Sequence, residues 1–213
     1  FISDVEYDLS DLANKRTYAV LPKIEKVLNA FSHFGLAPHH FNSVTGYGHG
    51  DISRELIDNI FATIFGSEKA AVRMQFVSGT HAISSVLFGV LRPGDTLLSL
   101  TGRPYDTLEE VIGLRGKGQG SLLEFGIKYI EKTIFNDGQI DFEVLNKAFG
   151  KPIKMVFLQR SCGYSWRTSL SIKNIRDICN LIHLKQPNCI CFVDNCYGEL
   201  VEDSEPINKG ANI

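Results

Sequence analysis

Three places in the chain combine residue types that do chemistry. The stretch Val72-Arg73-Met74-Gln75-Phe76-Val77-Ser78-Gly79-Thr80-His81-Ala82-Ile83 reads as an apolar approach segment, a tight turn of small residues and a helix start. Backbone amides at such a turn are free to face an anion, and the helix dipole adds partial positive charge there. Ser78, Gly79 and Thr80 therefore read as a phosphate cradle. Asp194 directly follows the apolar run Cys191-Phe192-Val193. A carboxylate in that position is costly unless paired. It is either a cap or turn residue or the partner of a buried cation, such as a protonated pyridine nitrogen whose pKa it raises, keeping the ring an electron sink. Tyr197 follows three positions on, close enough to place its hydroxyl at the same ring. Tyr105 lies in a loop between a strand and a helix. It is either an aromatic packed on the surface or one lying flat on a planar cofactor.

The elements that must position these residues follow from periodicity. Apolar residues from Thr17 to Phe34 recur at helical spacing, with Gly35 as the stop, and residues 1–17 read as a helical arm or a partly ordered lead-in. A glycine-rich loop, Gly46 to Asp51, precedes a helix capped by Asp51 or Ser53 and ended by Gly66. A strand is expected over Ala70–Val77, a helix over His81–Leu91 and a buried strand over Thr96–Leu100. A helix follows from about Thr107 to Gly113, and Arg115–Gly120 reads as a surface loop. Strand is expected over Ile127–Phe135, a turn at Asn136-Asp137-Gly138, a helix capped by Asp141 through Phe149, and a strand over Lys154–Gln159. Ser171 caps a helix to about Lys185, and Cys189–Val193 is the last strand.

Short apolar strands alternating with longer helices predict an α/β fold, a mostly parallel sheet with helices on both faces. In such sheets ligands gather at the carboxyl ends of the strands. Ser78, Gln159 to Ser161 and Asp194 are all expected there, in one crevice. An N-terminal helical arm is assigned to 1–45 and an incomplete large domain to 46–213.

The 213 residues suffice for one large domain with a core. With 44% hydrophobic and 22% charged residues, the composition is that of an ordinary soluble protein. A net charge of −2 without a basic run gives no nucleic-acid footprint. No apolar run is long enough to span a bilayer and no secretory signal opens the chain, so no membrane association is expected. The chain begins at Phe1 and ends in what reads as mid-domain sequence, so both ends are expected to be cut. The five cysteines, an odd number, read as reduced thiols in a cytoplasmic protein. They lack metal-ligand spacing, so packing is favoured over zinc and no metal is expected. Gly46-Tyr47-Gly48-His49-Gly50-Asp51 fails as a dinucleotide fingerprint because Asp51 closes it and no strand precedes it. Gly113 to Gly120 fails as a P-loop because Gln119 stands where Lys is required.

Cradle, aromatic and Asp after a strand, in that order, resemble the fold-type I enzymes that use pyridoxal 5'-phosphate. The match is closer still to the aluminium resistance protein family, relatives of methionine gamma-lyase and cystathionine beta-lyase. It is carried by Gly46-Tyr47-Gly48, Val77 to Ile83, Leu91 to Asp95, Pro104 to Gly113, Gln159-Arg160-Ser161, Gly163 to Arg167 and Val193-Asp194-Asn195-Cys196-Tyr197-Gly198-Glu199. The last is the most specific, and the resemblance runs from about residue 19 onward. It implies the large domain of the type I fold, truncated. It also implies that Ser78, Gly79 and Thr80 bind the cofactor phosphate, Tyr105 stacks on the ring, Asp194 pairs with the ring nitrogen and Tyr197 approaches the phenolic oxygen. Tyr47, and with it Arg54, would complete the phosphate site of a neighbouring subunit in a homodimer or homotetramer.

Two departures stand out. Cys162 replaces a basic residue usual in the family. The family's Schiff-base lysine follows a Gly-Ala pair, here Gly210-Ala211, and no lysine follows that pair in this chain; Lys209 precedes it and does not qualify. Covalent catalysis needs that amine, so this stretch alone is expected to bind the cofactor poorly and turn nothing over. The implied reaction is elimination from a sulfur-containing amino acid, with Tyr105 helping the proton transfers. The alternatives are an aminotransferase, or a non-catalytic protein of the same fold concerned with metal tolerance.

Overall fold

The computed structural model describes residues 1–47, 51–136 and 139–213. The chain divides into two compact units, Phe1–Arg73 and Met74–Ile213.

The first unit is helical. Helix α1 spans Ile2–His33, with Pro22 inside it. It starts well before Thr17, because Val5, Leu9 and Leu12 extend the same apolar spacing toward the N-terminus. A 3-10 turn, Pro38–Phe41, precedes helix α2, Ile52–Phe65. Asp51 caps α2, accepting from the Arg54 amide at 3.2 Å, and Gly66 ends it at φ 67°, the left-handed conformation a glycine adopts freely. The Arg73 guanidinium then closes on Asp58 with contacts of 2.6 and 2.7 Å. Of the glycine-rich loop, residues 48–50 lie outside the described residues.

The second unit holds the sheet. In order it comprises α3 (Gly79–Val90), β1 (Thr96–Ser99), α4 (Asp106–Ile112), β2 (Lys128–Glu131), β3 (Phe135–Asn136), β4 (Gln139–Ile140), α5 (Phe142–Lys147), β5 (Met155–Gln159), α6 (Ile172–Lys185) and β6 (Ile190–Asp194). Strands β2, β1, β5 and β6 lie side by side in that order, all parallel. This is the expected α/β architecture, and β5 is buried at all five positions, as a strand covered on both faces must be.

Alternation along the strands feeds two cores. Leu98, Val156, Leu158, Cys191 and Val193 pack with Ile172, Ile175, Ile178 and Ile182 of α6. Leu97, Met155, Phe157 and Phe192 pack with Ile83 and Leu87 of α3 and Leu108 and Ile112 of α4. The caps fall where the sequence puts them. Asp141 takes the Glu143 and Val144 amides at 2.9 and 3.1 Å, and Ser171 with Asn174 forms a reciprocal box at α6.

Two expectations are corrected. Ala70–Val77 is not a strand; it is irregular, with a turn at Met74-Gln75. Met74 is 96% exposed and no strand among the described residues pairs with the segment, so its backbone has no ladder to join there. Part of it is claimed instead by Asp58, which takes the Val72 amide at 2.8 Å. The strand expected over Ile127–Phe135 is broken. Its first half pairs with β1, Thr133 bridges Thr101, and Phe135–Asn136 turns to pair with Gln139–Ile140. In the turn expected at Asn136-Asp137-Gly138, residues 137 and 138 lie outside the described residues.

Candidate functional site

The carboxyl edge of the sheet gathers most of the candidate residues. Ser78 sits outside α3 in extended conformation, and its hydroxyl accepts the His81 amide at 3.1 Å. That serine cap satisfies one amide of the helix start. The amides of Gly79 and Thr80 have no hydrogen-bond partner among the described residues, so an anion can take both. Because the preceding segment is not a strand, the cradle stands at a helix start reached by irregular chain, not at a strand end.

Thr80 links the cradle to the aromatic. Its hydroxyl lies 3.3 Å from the Tyr105 hydroxyl and 2.7 Å from that of Thr107, at the start of α4. Tyr105 packs against the α3/α4 core and is half-buried. Burial raises its hydroxyl pKa, the Thr80 hydrogen bond opposes that, and the charge of Asp194 adds to the rise. The hydroxyl therefore stays protonated through the neutral range.

Asp194 ends β6, paired in register with Gln159 at the end of β5. It shares the alternation of Phe192, so it faces the α3/α4 side of the sheet, the side of Gly79 and Tyr105. Burial raises its pKa, the Cys196 amide that donates to Oδ1 at 3.1 Å lowers it, and Glu199 raises it. No cation pairs with it among the described residues. Beside it, Gln159 is 7% exposed, and its Oε1 has no partner among the described residues. A buried carbonyl oxygen without a partner and a half-buried carboxylate lie side by side at this strand edge and call for hydrogen-bond donors.

Tyr197 is 85% exposed and takes φ 69°; Leu200 takes φ 57°. Non-glycine residues held in the left-handed region cost about 1–3 kcal/mol each and persist where surroundings fix them. The fixing groups are residues that sequence reasoning left without a role. Arg160, 5% exposed, donates to the Leu170 carbonyl at 3.0 Å, to Asn195 Oδ1 at 2.7 Å, to the Gly198 carbonyl at 2.8 Å and to the Glu202 carboxylate. Glu205, 3% exposed, holds the Leu200 amide at 2.8 Å and the Asn195 amide group at 3.0 Å. A buried charge placed directly after an apolar strand was the available signal at Arg160; nothing local marks Glu202 or Glu205.

Tyr47 and Arg54 belong to the first unit, where Tyr47 is 86% exposed. Lys209 ends a 3-10 turn, Pro206–Lys209. All five cysteines are free thiols, and no group of three His, Cys, Asp or Glu is placed to hold a metal among the described residues. No described helix is long and apolar enough to cross a membrane. A cavity of about 660 Å³ opens at the opposite, amino ends of the strands, lined in part by Asp95, Lys154 and Gln186. The carboxyl edge is where parallel sheets hold ligands, and the open amides, Tyr105 and Asp194 are there.

Known proteins match over the full chain. YnbB of Bacillus subtilis strain 168, itself uncharacterised, is 43% identical over 212 residues, 99% of this chain and 50% of that protein. A crystal structure from Listeria innocua, described as a candidate cystathionine beta-lyase involved in aluminium resistance, has a TM-score of 0.93 at 45% identity, covering 98% of this chain and 51% of its own. A carbon–sulfur lyase involved in aluminium resistance from Clostridium novyi has a TM-score of 0.85 at 41% identity, covering 99% and 49%. A methionine gamma-lyase from Micromonospora echinospora, at 19% identity and a TM-score of 0.54 over 74% of this chain and 37% of its own, shares the fold. The chain thus spans about half the length of these relatives. The methionine gamma-lyase family profile matches residues 1–213, and the chain belongs to that family.

Proposed function

We propose that the whole protein is a pyridoxal-phosphate-dependent carbon–sulfur lyase acting on a sulfur-containing amino acid of the cystathionine or methionine kind. One observation carries this. On a single face of the sheet, at its carboxyl edge, lie two helix-start amides, the half-buried Tyr105 and the half-buried Asp194, the amides without a hydrogen-bond partner and Asp194 without a cation among the described residues. The donor and acceptor set fits the cofactor: an anion at one end, a flat ring between, a protonated nitrogen at the other. The buried Gln159 Oε1 is a spare acceptor on the same face.

When bound, the cofactor supplies the electron sink for carbanion chemistry at the amino acid's α carbon. The residues of this chain would bind and orient it; the Schiff-base lysine is not among them. Gly79 and Thr80 hold the phosphate with their amides, and the α3 dipole favours its charge. Thr80, itself held by Thr107, fixes the Tyr105 hydroxyl, and the ring of Tyr105 would hold the cofactor's pyridine by stacking. Asp194, ionised, keeps the ring nitrogen protonated. Tyr105 keeps its phenolic proton for transfer near the reacting carbons. Tyr197, exposed beside the turn, would donate to the phenolic oxygen of the ring. Assembly as a homodimer or homotetramer in the cytoplasm, with Tyr47 and Arg54 reaching a neighbour's phosphate, belongs to the same proposal.

The test uses the whole protein. Added pyridoxal phosphate should produce a bound-cofactor absorbance band that Asp194→Asn abolishes or shifts, and cystathionine or methionine should release pyruvate or 2-oxobutyrate. Absence of the band refutes the cofactor assignment. Binding without keto-acid release, but with amino transfer, refutes the lyase and favours an aminotransferase.

A further inference from the structure

We propose that Arg160 is the positioning residue of this site, holding the turn after β6 so that the Asp194 carboxylate faces the ring nitrogen; this rests on the cofactor proposal above. The geometry runs in one chain of contacts. Arg160 grips Asn195 Oδ1 at 2.7 Å and the Gly198 carbonyl at 2.8 Å. Between those two residues lies Cys196, whose amide donates to Asp194 Oδ1 at 3.1 Å. Arg160's own amide donates to the Asp194 carbonyl at 3.0 Å. The guanidinium thus sets the backbone that orients one carboxylate oxygen, leaving the other for a ligand.

The grip is closely fitted. A Cβ at Gly198 would lie 2.1 Å from Arg160 Nη1 and 2.6 Å from both Cζ and Asn195 Oδ1. Only glycine lets the guanidinium lie against the turn. Glu202 neutralises Arg160 and also accepts the first amide of α6, that of Ile172, at 2.9 Å. Turn, strand end and helix start are therefore tied at one ion pair, buried on the Arg160 side and partly exposed at Glu202. The left-handed Tyr197 and Leu200 sit inside the span it holds.

Arg160 acts on Asp194 through the turn it holds, by its contacts with Asn195 and Gly198 on either side of the Cys196 amide. A lysine there keeps the charge but loses the planar fork that reaches four acceptors at once.

The experiment compares the whole protein with Arg160→Lys, Gly198→Ala and Glu202→Ala, which removes the acceptor shared by Arg160 and the Ile172 amide, each with Ile178→Ala as a destabilised control remote from the turn. Folding is checked by circular dichroism. Pyridoxal phosphate affinity is measured by absorbance titration, and the protonation of the bound ring by NMR of its isotopically labelled nitrogen. The folded turn variants should bind about tenfold more weakly, the size of one charge-assisted hydrogen bond, and the ring nitrogen should move toward its unprotonated resonance. Ile178→Ala should melt earlier but keep wild-type affinity and resonance. Wild-type values in any folded turn variant overturn the inference. So does an equal loss in Ile178→Ala. Should Arg160→Lys not fold, Gly198→Ala and Glu202→Ala carry the same expectation. Failure of the wild type itself to bind pyridoxal phosphate refutes the cofactor proposal instead, and the inference with it.

Discussion

Replacing Gly79 with alanine separates a ligand role from a structural one. Gly79 is the first residue of α3, and a Cβ there meets nothing within 4 Å. Its φ is not positive, so alanine adopts the same backbone. Without ligand, the variant should be as stable as wild type or gain about 0.4–1 kcal/mol, because alanine has less freedom to lose on folding. With ligand the sign reverses. The amide itself remains, so affinity falls only if the methyl group keeps the phosphate off it; losing one hydrogen bond to a charged phosphate costs about 1.5–3 kcal/mol, or ~10–150-fold in affinity. The readout is thermal unfolding of the whole protein with and without pyridoxal phosphate. At a concentration about 100 times the wild-type Kd, the wild type gains ~2.7 kcal/mol, whereas a variant weakened a hundredfold gains only ~0.4. An unchanged cofactor-induced gain in Gly79→Ala would show that the phosphate sits elsewhere.

Asp194→Asn has a pH-dependent sign. Burial raises this carboxyl's pKa above 3.8, so its contribution to stability is full below that value and is lost as pH rises through the folded pKa. Cofactor-free Asp194→Asn should therefore unfold at a higher temperature than wild type at neutral pH, with the difference vanishing in acid; a lower temperature at neutral pH contradicts it. Asp58 behaves oppositely, because the Arg73 hydrogen bonds hold its pKa below 3.8. Its stabilisation is present above that value and fades as pH falls, so Asp58→Asn should flatten the acid side of a melting-temperature profile. Ile178, fully buried, should lose about 2–5 kcal/mol on change to alanine, of which ~2.4 is the transfer of three carbons. Leu184 on the same helix is 78% exposed and should lose almost nothing in the same urea titration.

Most of the sheet was legible because its strands are short apolar blocks between capped helices. Ser171, Asp141 and Gly66 mark element ends by local chemistry, and the structure puts ends there. Ala70–Val77 misled because its apolar residues resemble a buried strand, while strand formation depends on a partner that sequence spacing does not reveal. Ser78 to Thr80, Tyr105 and Asp194 were legible one at a time, since each has a local signature. Thr107 was not, because its contact with Thr80 spans 27 positions. Glu202 and Glu205 were hidden for the same reason: Arg160, marked by its place after an apolar strand, meets Glu202 across 42 positions, and nothing in the sequence advertises that partner.

Trp166 is the chain's one tryptophan, and it stands 104% exposed on the loop after β5. Its emission is therefore insensitive to the two buried cores. A fluorescence trace would report poorly on global unfolding, yet sharply on anything that covers this loop. The molecule carries a built-in lamp at the rim of its carboxyl edge, reddened by water when bare and blue-shifted when shielded.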